Sequence, residues 1–289
     1  MFAFALWYCI QHKLFCVRDR FGVKPFYHAF LDSGEFVFGS ELKSLLAHPG
    51  LPRAVDPLAV EEYFGYGYVP EPRTIFKGVY KLPGGYTLTL ERGQPRALPQ
   101  QYWDMPFAPV AVKSEAAAAA ELVERLAESV KLRMIADVPL GAFLSGGVDS
   151  SAVVAMMAGV SASQNRAAAG ADSARPVTTC SIGFDDPAFN ETEYARQVAD
   201  RYRTDHHVET VAANDFSLVG QLANVYDEPY ADSSALPTYR VCELARKHVK
   251  VALSGDGGDE HFAGYRRYQW FRREEALRAA LPLGLRRPL

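Results

Sequence analysis

The sequence predicts an α/β protein with an α+β amino-terminal part: hairpin-like strands to about residue 100, then a mostly parallel sheet covered by helices. Two observations predict it. Residues 1 to about 100 alternate short aromatic and β-branched runs with turn residues, whereas from about Ser114 helical stretches alternate with short apolar runs. Domain boundaries at 1–104 and 114–289 follow from that change of pattern. A chain of 289 residues, 48% hydrophobic and 22% charged, has room for two cored domains and is neither fibrous nor disordered in composition.

In the first part, FAFALWYC, KLFCVRD, KPFYHAF, EFVFGSE and GYTLTL are the strand candidates, interrupted by helical SELKSLLAHP and PLAVEEYFGYGY. The opening MFAFALWYCI is too short to span a membrane and lacks the basic flank and cleavage site of a signal peptide, so it reads as a buried strand. GYGYVPEPRTIFKGVYKLPGGY, rich in Gly, Pro and Tyr, reads as an ordered connecting loop. In the second part, Ser114 caps a helix whose Leu122, Leu126 and Val130 recur at helical spacing. VPLGAFL, PVTTCSIGF, DHHVETV and VKVALS are the strands. NETEYARQVADRY opens with Asn190 and Glu193 at the spacing of a capping box. Residues 159–176, GVSASQNRAAAGADSARP, lack apolar periodicity and read as a surface insertion, and the basic YRRYQWFRREEALRAALPLGLRRPL as a solvated helix face.

A net charge of −3 gives no general attraction to nucleic acid or to an anionic membrane. The four cysteines, Cys9, Cys16, Cys180 and Cys242, form no CxxC pair and sit among apolar neighbours, which predicts buried thiols in a reducing cytoplasm. His206 and His207 are adjacent on a strand and so point to opposite faces, which argues against joint metal coordination.

The chemistry sits in two loops. SGGVDSS, residues 145–151, lies where a strand hands over to a helix. Gly146 and Gly147 let the backbone wrap an anion, the helix start aims unpaired amides at it, and the hydroxyls of Ser145, Ser150 and Ser151 add donors. Asp149 would repel a bare phosphate, so a magnesium-bound polyphosphate is expected. There is no GxxxxGK[ST], and the loop suits a leaving pyrophosphate rather than a γ-phosphate. VKVALSGDGGDEHFAGYRRY repeats the strand, Gly/Asp loop and helix, bringing Asp256 and Asp259 as acids that can hold magnesium or move protons. The bland alternatives are a glycine-rich helix cap and a solvated acidic turn.

With these residues in hand, the chain resembles the glutamine-hydrolysing asparagine synthetases of bacterial type. MFAFALW, RDRFGVKPFYH, FGSELKSLLAHP, LPGGYTL, YWD, PLGAFLSGGVDSS, SIGF, DEPYADSSALPTY and ALSGDGGDEHFAGYRRY occur in the family's order. The resemblance implies a partial αββα glutaminase sandwich followed by an ATP-pyrophosphatase domain. It implies that Ser145, Gly146, Gly147, Asp149, Ser150 and Ser151 form the pyrophosphate loop, with Asp149 and Asp259 facing magnesium. Phe143, Leu144 and Ile182 would border adenosine, with Ser254 and Gly255 in the same pocket. Asp256 matches a position, Glu in many members, proposed to handle the ammonia proton. The implied ligase uses ATP, aspartate, and glutamine or ammonia, in the cytoplasm, with a homodimer as the assembly to test. The family's nucleophilic cysteine, its glutamine-binding residues and a later lysine have no counterpart in the sequence, which predicts a chain shortened at both ends with exposed sheet edges. Neither Cys9 nor Cys16 reads as that nucleophile.

Two other readings stay open: a related enzyme that adenylates a different acceptor, such as a β-lactam synthetase, and a non-catalytic nucleotide-binding fragment.

Overall fold

Turn residues cut the first hundred positions into short strands, while longer alanine- and leucine-bearing stretches beyond them coil into helices. The structure, a computed structural model, describes residues 1–93, 97–108, 112, 114–167, 176–186, 190–212 and 216–281. In chain order it begins with β1 (Ala3–Tyr8), β2 (Lys13–Arg18), β3 (Tyr27–Phe30), β4 (Phe36–Gly39), α1 (Leu42–Leu46), α2 (Pro57–Tyr66), β5 (Val79–Lys81), β6 (Tyr86–Glu91) and β7 (Gln100–Gln101). It continues with α3 (Glu115–Arg133), β8 (Leu140–Phe143), α4 (Val148–Ala167), β9 (Thr178–Phe184), α5 (Thr192–Tyr202) and β10 (Asp205–Val211). The last elements are α6 (Val219–Val225), α7 (Ala235–Arg246), β11 (Val251–Leu253), α8 (Gly258–Phe262) and α9 (Arg266–Ala280). Contacts divide the chain into two compact units, Met1–Val110 with Phe216–Leu236, and Ala111–Asp215 with Pro237–Leu289.

The first unit holds two sheets, β1-β2-β6-β7 and β4-β3-β5, whose mapped pairings are antiparallel. The stretch expected as one connecting loop contains the short strand β5, which pairs with β3. The RDRFGVKP stretch works as a structural hub. The Asp19 carboxylate accepts the backbone N–H groups of Phe2, Val23 and Lys24 at 3.0–3.1 Å. Burial pushes its pKa up, but those three amides outweigh it and hold the carboxyl below its usual range. Arg18 donates to the carbonyls of Gly22, Lys24 and Leu82 and to Glu71. Residues 216–236 join this unit through Glu228, which meets Lys81 Nζ at 2.6 Å and accepts the Ile75 amide at 2.7 Å.

Two expectations fail. MFAFALWYCI forms β1, but the strand is not buried: Phe4, Leu6, Trp7 and Tyr8 are 45–49% exposed. β1 is a sheet edge, and Ala3 and Ala5, not the large side chains, face the cluster of Cys16, Phe26, Leu82 and Leu88. Nor are all four thiols buried. Cys16 and Cys180 are, with pKa values pushed by burial to about 12 and about 11, but Cys9 lies in the turn after β1 and Cys242 is on the exposed side of α7.

His28 on β3 is 4% exposed among the rings of Phe30, Phe36 and Tyr80, and neither ring nitrogen has a hydrogen-bond partner. Burial pushes its pKa down from 6.5 to about 4. Above pH 6.5 the ring is neutral in both folded and unfolded chains. As pH falls from 6.5 toward 4 only the unfolded chain takes up the proton, so stability drops, by at most about 3 kcal/mol. Urea midpoints between pH 7 and pH 4.5 should show this loss, and His28→Phe should flatten that part of the profile.

In the second unit β10-β9-β8-β11 form one sheet with every pairing parallel. Alternate residues of β8 and its end serve opposite faces: Ala142 and Leu144 join a core with α3, α4 and α5, while Phe143 packs toward Leu244 and Ala245 of α7. Ser114 caps α3, its Oγ accepting the Ala117 amide at 3.2 Å. Of the predicted stripe, Val130 is buried and Leu126 partly so, while Leu122 is exposed. The expected insertion at 159–176 is corrected in its first half: α4 continues to Ala167, and 168–175 lie outside the described residues. Asn190 acts at the start of α5, its Oδ1 accepting from Thr192 N–H at 3.1 Å, but the cap position falls one residue later, on Glu191, and no side-chain capping box forms. The described part of the basic end is α9, which has no buried residue. Among the described residues no helix is long and apolar enough to cross a membrane.

Candidate active site

Chain order in the parallel sheet sets where a ligand can sit. From β8 the chain winds to β9 and β10 on one side, and β11 then pairs on the other side of β8. The carboxyl ends of β8 and β11 therefore flank the switch point of the winding, where open α/β sheets bind their ligands. SGGVDSS follows β8 and SGDGGDE follows β11.

The two loops meet. A Cβ on Gly255 would lie 2.6 Å from the Ser150 amide nitrogen, and one on Gly258 would lie 2.5 Å from Asp149 Oδ2. Glycine at 255 lets the backbone of the first turn of α4 lie against the second loop, and glycine at 258 leaves room for the Asp149 carboxylate. Gly146 has φ +87, and a Cβ there would sit 2.6 Å from the Ala195 nitrogen, so this glycine lets the first loop pack against α5.

Together the loops line a cavity of about 710 Å³, within the range of sites that hold a small-molecule ligand, about 300–1,000 Å³. Its lining includes Phe143, Leu144, Ser145, Gly147, Asp149, Ser150, Ile182, Ser254, Gly255, Asp256 and Asp259. Gly146 and Ser151 lie outside the lining, Gly146 facing α5 and Ser151 returning its amide to the Gly147 carbonyl at 3.1 Å. Ser150 is buried, and its hydroxyl braces the loop: it accepts the Ser145 amide at 3.2 Å, meets Ser145 Oγ at 3.0 Å and donates to the Gly147 carbonyl at 3.2 Å. Ser254 Oγ donates to Asp256 Oδ2 at 2.9 Å, which holds an otherwise exposed carboxylate in place.

Sequence reasoning missed several lining residues: Ser181, Glu191, Pro237, Thr238, Val241, Glu260 and Tyr265. Ser181 is buried and donates to the Leu144 carbonyl, anchoring the root of the first loop. Tyr265 donates to Glu260 at 2.7 Å. That bond, reinforced by the carboxylate's charge, pushes the phenol up to about 12, while it holds the Glu260 carboxyl below its ordinary range.

The charge balance of the cavity is one-sided. Among the described residues five carboxylates line it, from Asp149, Glu191, Asp256, Asp259 and Glu260, and no Lys, Arg or His does. Hard oxygen donors of this kind suit magnesium. Among the described residues no three His, Cys, Asp or Glu are close enough to cage an ion by themselves. His206 and His207 are not part of the site: His206 bonds to Thr179 at 2.9 Å, while His207 meets Asp205 at 3.2 Å and stacks on His248.

Fold and cavity define a parallel-sheet α/β protein with an acidic cleft at the switch point. The chain belongs to the asparagine synthase family, whose model matches residues 121–288, and a glutamine amidotransferase domain model matches residues 1–103. It is 40% identical to the putative asparagine synthetase (glutamine-hydrolyzing) 2 of Methanocaldococcus jannaschii, over 92% of this chain and 49% of that one. It is 32% identical to asparagine synthetase (glutamine-hydrolyzing) 1 of Bacillus subtilis, over 93% and 40%. It is also 32% identical to the amidase chyE of Penicillium rubens, over 91% and 39%. The chain thus spans about half, or less, of the length of these relatives.

Proposed function

We propose that this chain carries the adenylating centre of a glutamine-dependent asparagine synthetase: a partial αββα glutaminase region over residues 1–104 and an ATP-pyrophosphatase region over 114–289. The observation that carries the reading is the meeting of SGGVDSS and SGDGGDE around one acidic cavity at the switch point of a parallel sheet.

In this reading Phe143, Leu144 and Ile182 border the adenosine, with Ser254 and Gly255 beside it. The loop from Ser145 to Ser151 receives the β- and γ-phosphates at the start of α4: Ser145, Gly147 and Ser150 line the cavity there, while the bonds among Ser145, Gly147, Ser150 and Ser151 and the close packing of Gly146 hold the loop's shape. Asp149 and Asp259 would hold magnesium, which would neutralise polyphosphate charge in a cavity whose described lining has no cationic side chain. A side-chain carboxylate oxygen of aspartate attacks the α-phosphorus, the bond to the bridging oxygen breaks, and pyrophosphate leaves. Ammonia then adds to the acyl carbon of β-aspartyl-AMP, and AMP departs with the former carboxylate oxygen. Asp256, at the cavity mouth, takes the ammonium proton. In the full protein ammonia comes from glutamine, and the setting is a cytoplasmic enzyme acting on small molecules.

The test is isotopic. With aspartate labelled by ¹⁸O in its side-chain carboxylate, and with ATP, magnesium and ammonia, one label should pass to AMP as asparagine forms. Unlabelled AMP would reject an acyl-adenylate. Labelled AMP only when another carboxylic acid is supplied would transfer the reading to a different acceptor.

A further inference from the structure

An acidic cavity must still recognise an acceptor that is itself an anion. In the reading above magnesium offsets the polyphosphate, but among the described residues no lining side chain offers positive charge to a second carboxylate on the acceptor. One source of such charge stands beside a lining residue. Tyr265 lines the cavity, and the guanidinium carbon of Arg267, in the first turn of α9, stands 4.2 Å from the centre of its ring and 5.8 Å from that of Tyr268. Stacking on ring faces fixes the plane of a guanidinium while leaving its in-plane N–H groups free, the geometry suited to a bidentate carboxylate contact. Arg267 is exposed, and no hydrogen bond or ion pair from another described residue occupies those groups.

We propose that Arg267 is a specificity-determining residue that binds the α-carboxylate of an amino-acid acceptor. This rests on the adenylating reading given above and deepens it by naming what the acceptor must carry. Tyr265 supplies the platform, and Glu260 fixes Tyr265 through its phenol. The acceptor's other carboxylate is then left to face the α-phosphate.

The test compares the wild-type protein with Arg267→Met and Arg267→Lys, using aspartate and β-alanine, which is aspartate without its α-carboxylate, and following pyrophosphate release with ATP and magnesium. The proposal expects Arg267→Met to raise the KM for aspartate about tenfold or more, the weight of one charge-assisted bidentate contact. The KM for ATP should stay within about twofold, and the preference for aspartate over β-alanine should shrink by the same factor. Arg267→Lys, which keeps the charge but not the fork, should recover part of the loss. An unchanged aspartate KM and preference in Arg267→Met would overturn the proposal, as would an equal rise in the KM for ATP, which would mark a general disturbance of α9. Wild-type protein that releases pyrophosphate with neither acid would overturn the adenylating reading, and this proposal with it. A normal wild-type reaction with an unaffected variant overturns the Arg267 assignment alone.

Discussion

Gly255→Ala is expected to reduce ATP-dependent turnover by about 10²-fold or more without unfolding the protein, the usual penalty for displacing a reacting group by about 1 Å. The new methyl group would stand 2.6 Å from the Ser150 nitrogen and 2.9 Å from the Asp149 carbonyl carbon. Both are backbone atoms in the first turn of α4, so no side chain can swing aside to make room. The turn itself must move, and Asp149 and the loop amides move with it. Gly159→Ala in the same helix is the control: a Cβ there meets nothing within 4 Å, and alanine is the better helix former. Circular dichroism and the melting curve should stay close to wild type for both variants. Only the Gly255 variant should lose activity.

Lys81→Met is expected to have the largest effect on stability, a loss of about 3–5 kcal/mol. Lys81 and Glu228 meet at 2.6 Å with each side chain only 13% exposed, and removing the cation leaves a carboxylate confined where water reaches poorly. The double variant Lys81→Met with Glu228→Gln should recover much of that loss, because the amide oxygen can still accept the Ile75 N–H and no charge is left uncompensated. Urea denaturation of the wild type, both single variants and the double variant completes the cycle. A double variant no more stable than Lys81→Met would show that packing, not charge, holds residues 216–236 in the first unit.

What could be read in the sequence follows the range of the forces involved. Strand and helix periods are local, so β2, β6, β8 to β11 and α3 stand where the patterns placed them. The two loops were legible because Gly, Ser and Asp between an apolar strand and a helix start are a local signal for anion binding. Burial of an edge strand is not local. β1 alternates as a half-buried strand does, but which face is covered depends on neighbours elsewhere in the chain. The poorly periodic end of α4 was lost for a related reason: tertiary packing of Val153, Val154 and Met157 carries the helix past the point where its own pattern fades. Ser181, Thr238 and Glu191 stand in the stretches SIGF, DEPYADSSALPTY and NETEYARQVADRY, which named no chemistry for these residues. They reach the cavity because three separate elements converge on it, although Ser181, one residue before Ile182 on a strand ending beside the loop, had a faint positional cue. Ser150 and Gly146 show the limit of motif reading, since loop residues that look like ligand contacts can instead hold the loop's shape.

The measurement that tests the central claim most directly is aspartate-dependent exchange of labelled pyrophosphate into ATP, with magnesium and without ammonia. If SGGVDSS and SGDGGDE build one adenylating centre, label enters ATP only when aspartate and magnesium are both present, and Asp149→Asn abolishes it. Exchange that proceeds equally without aspartate, or that survives Asp149→Asn at the wild-type rate, would contradict the account.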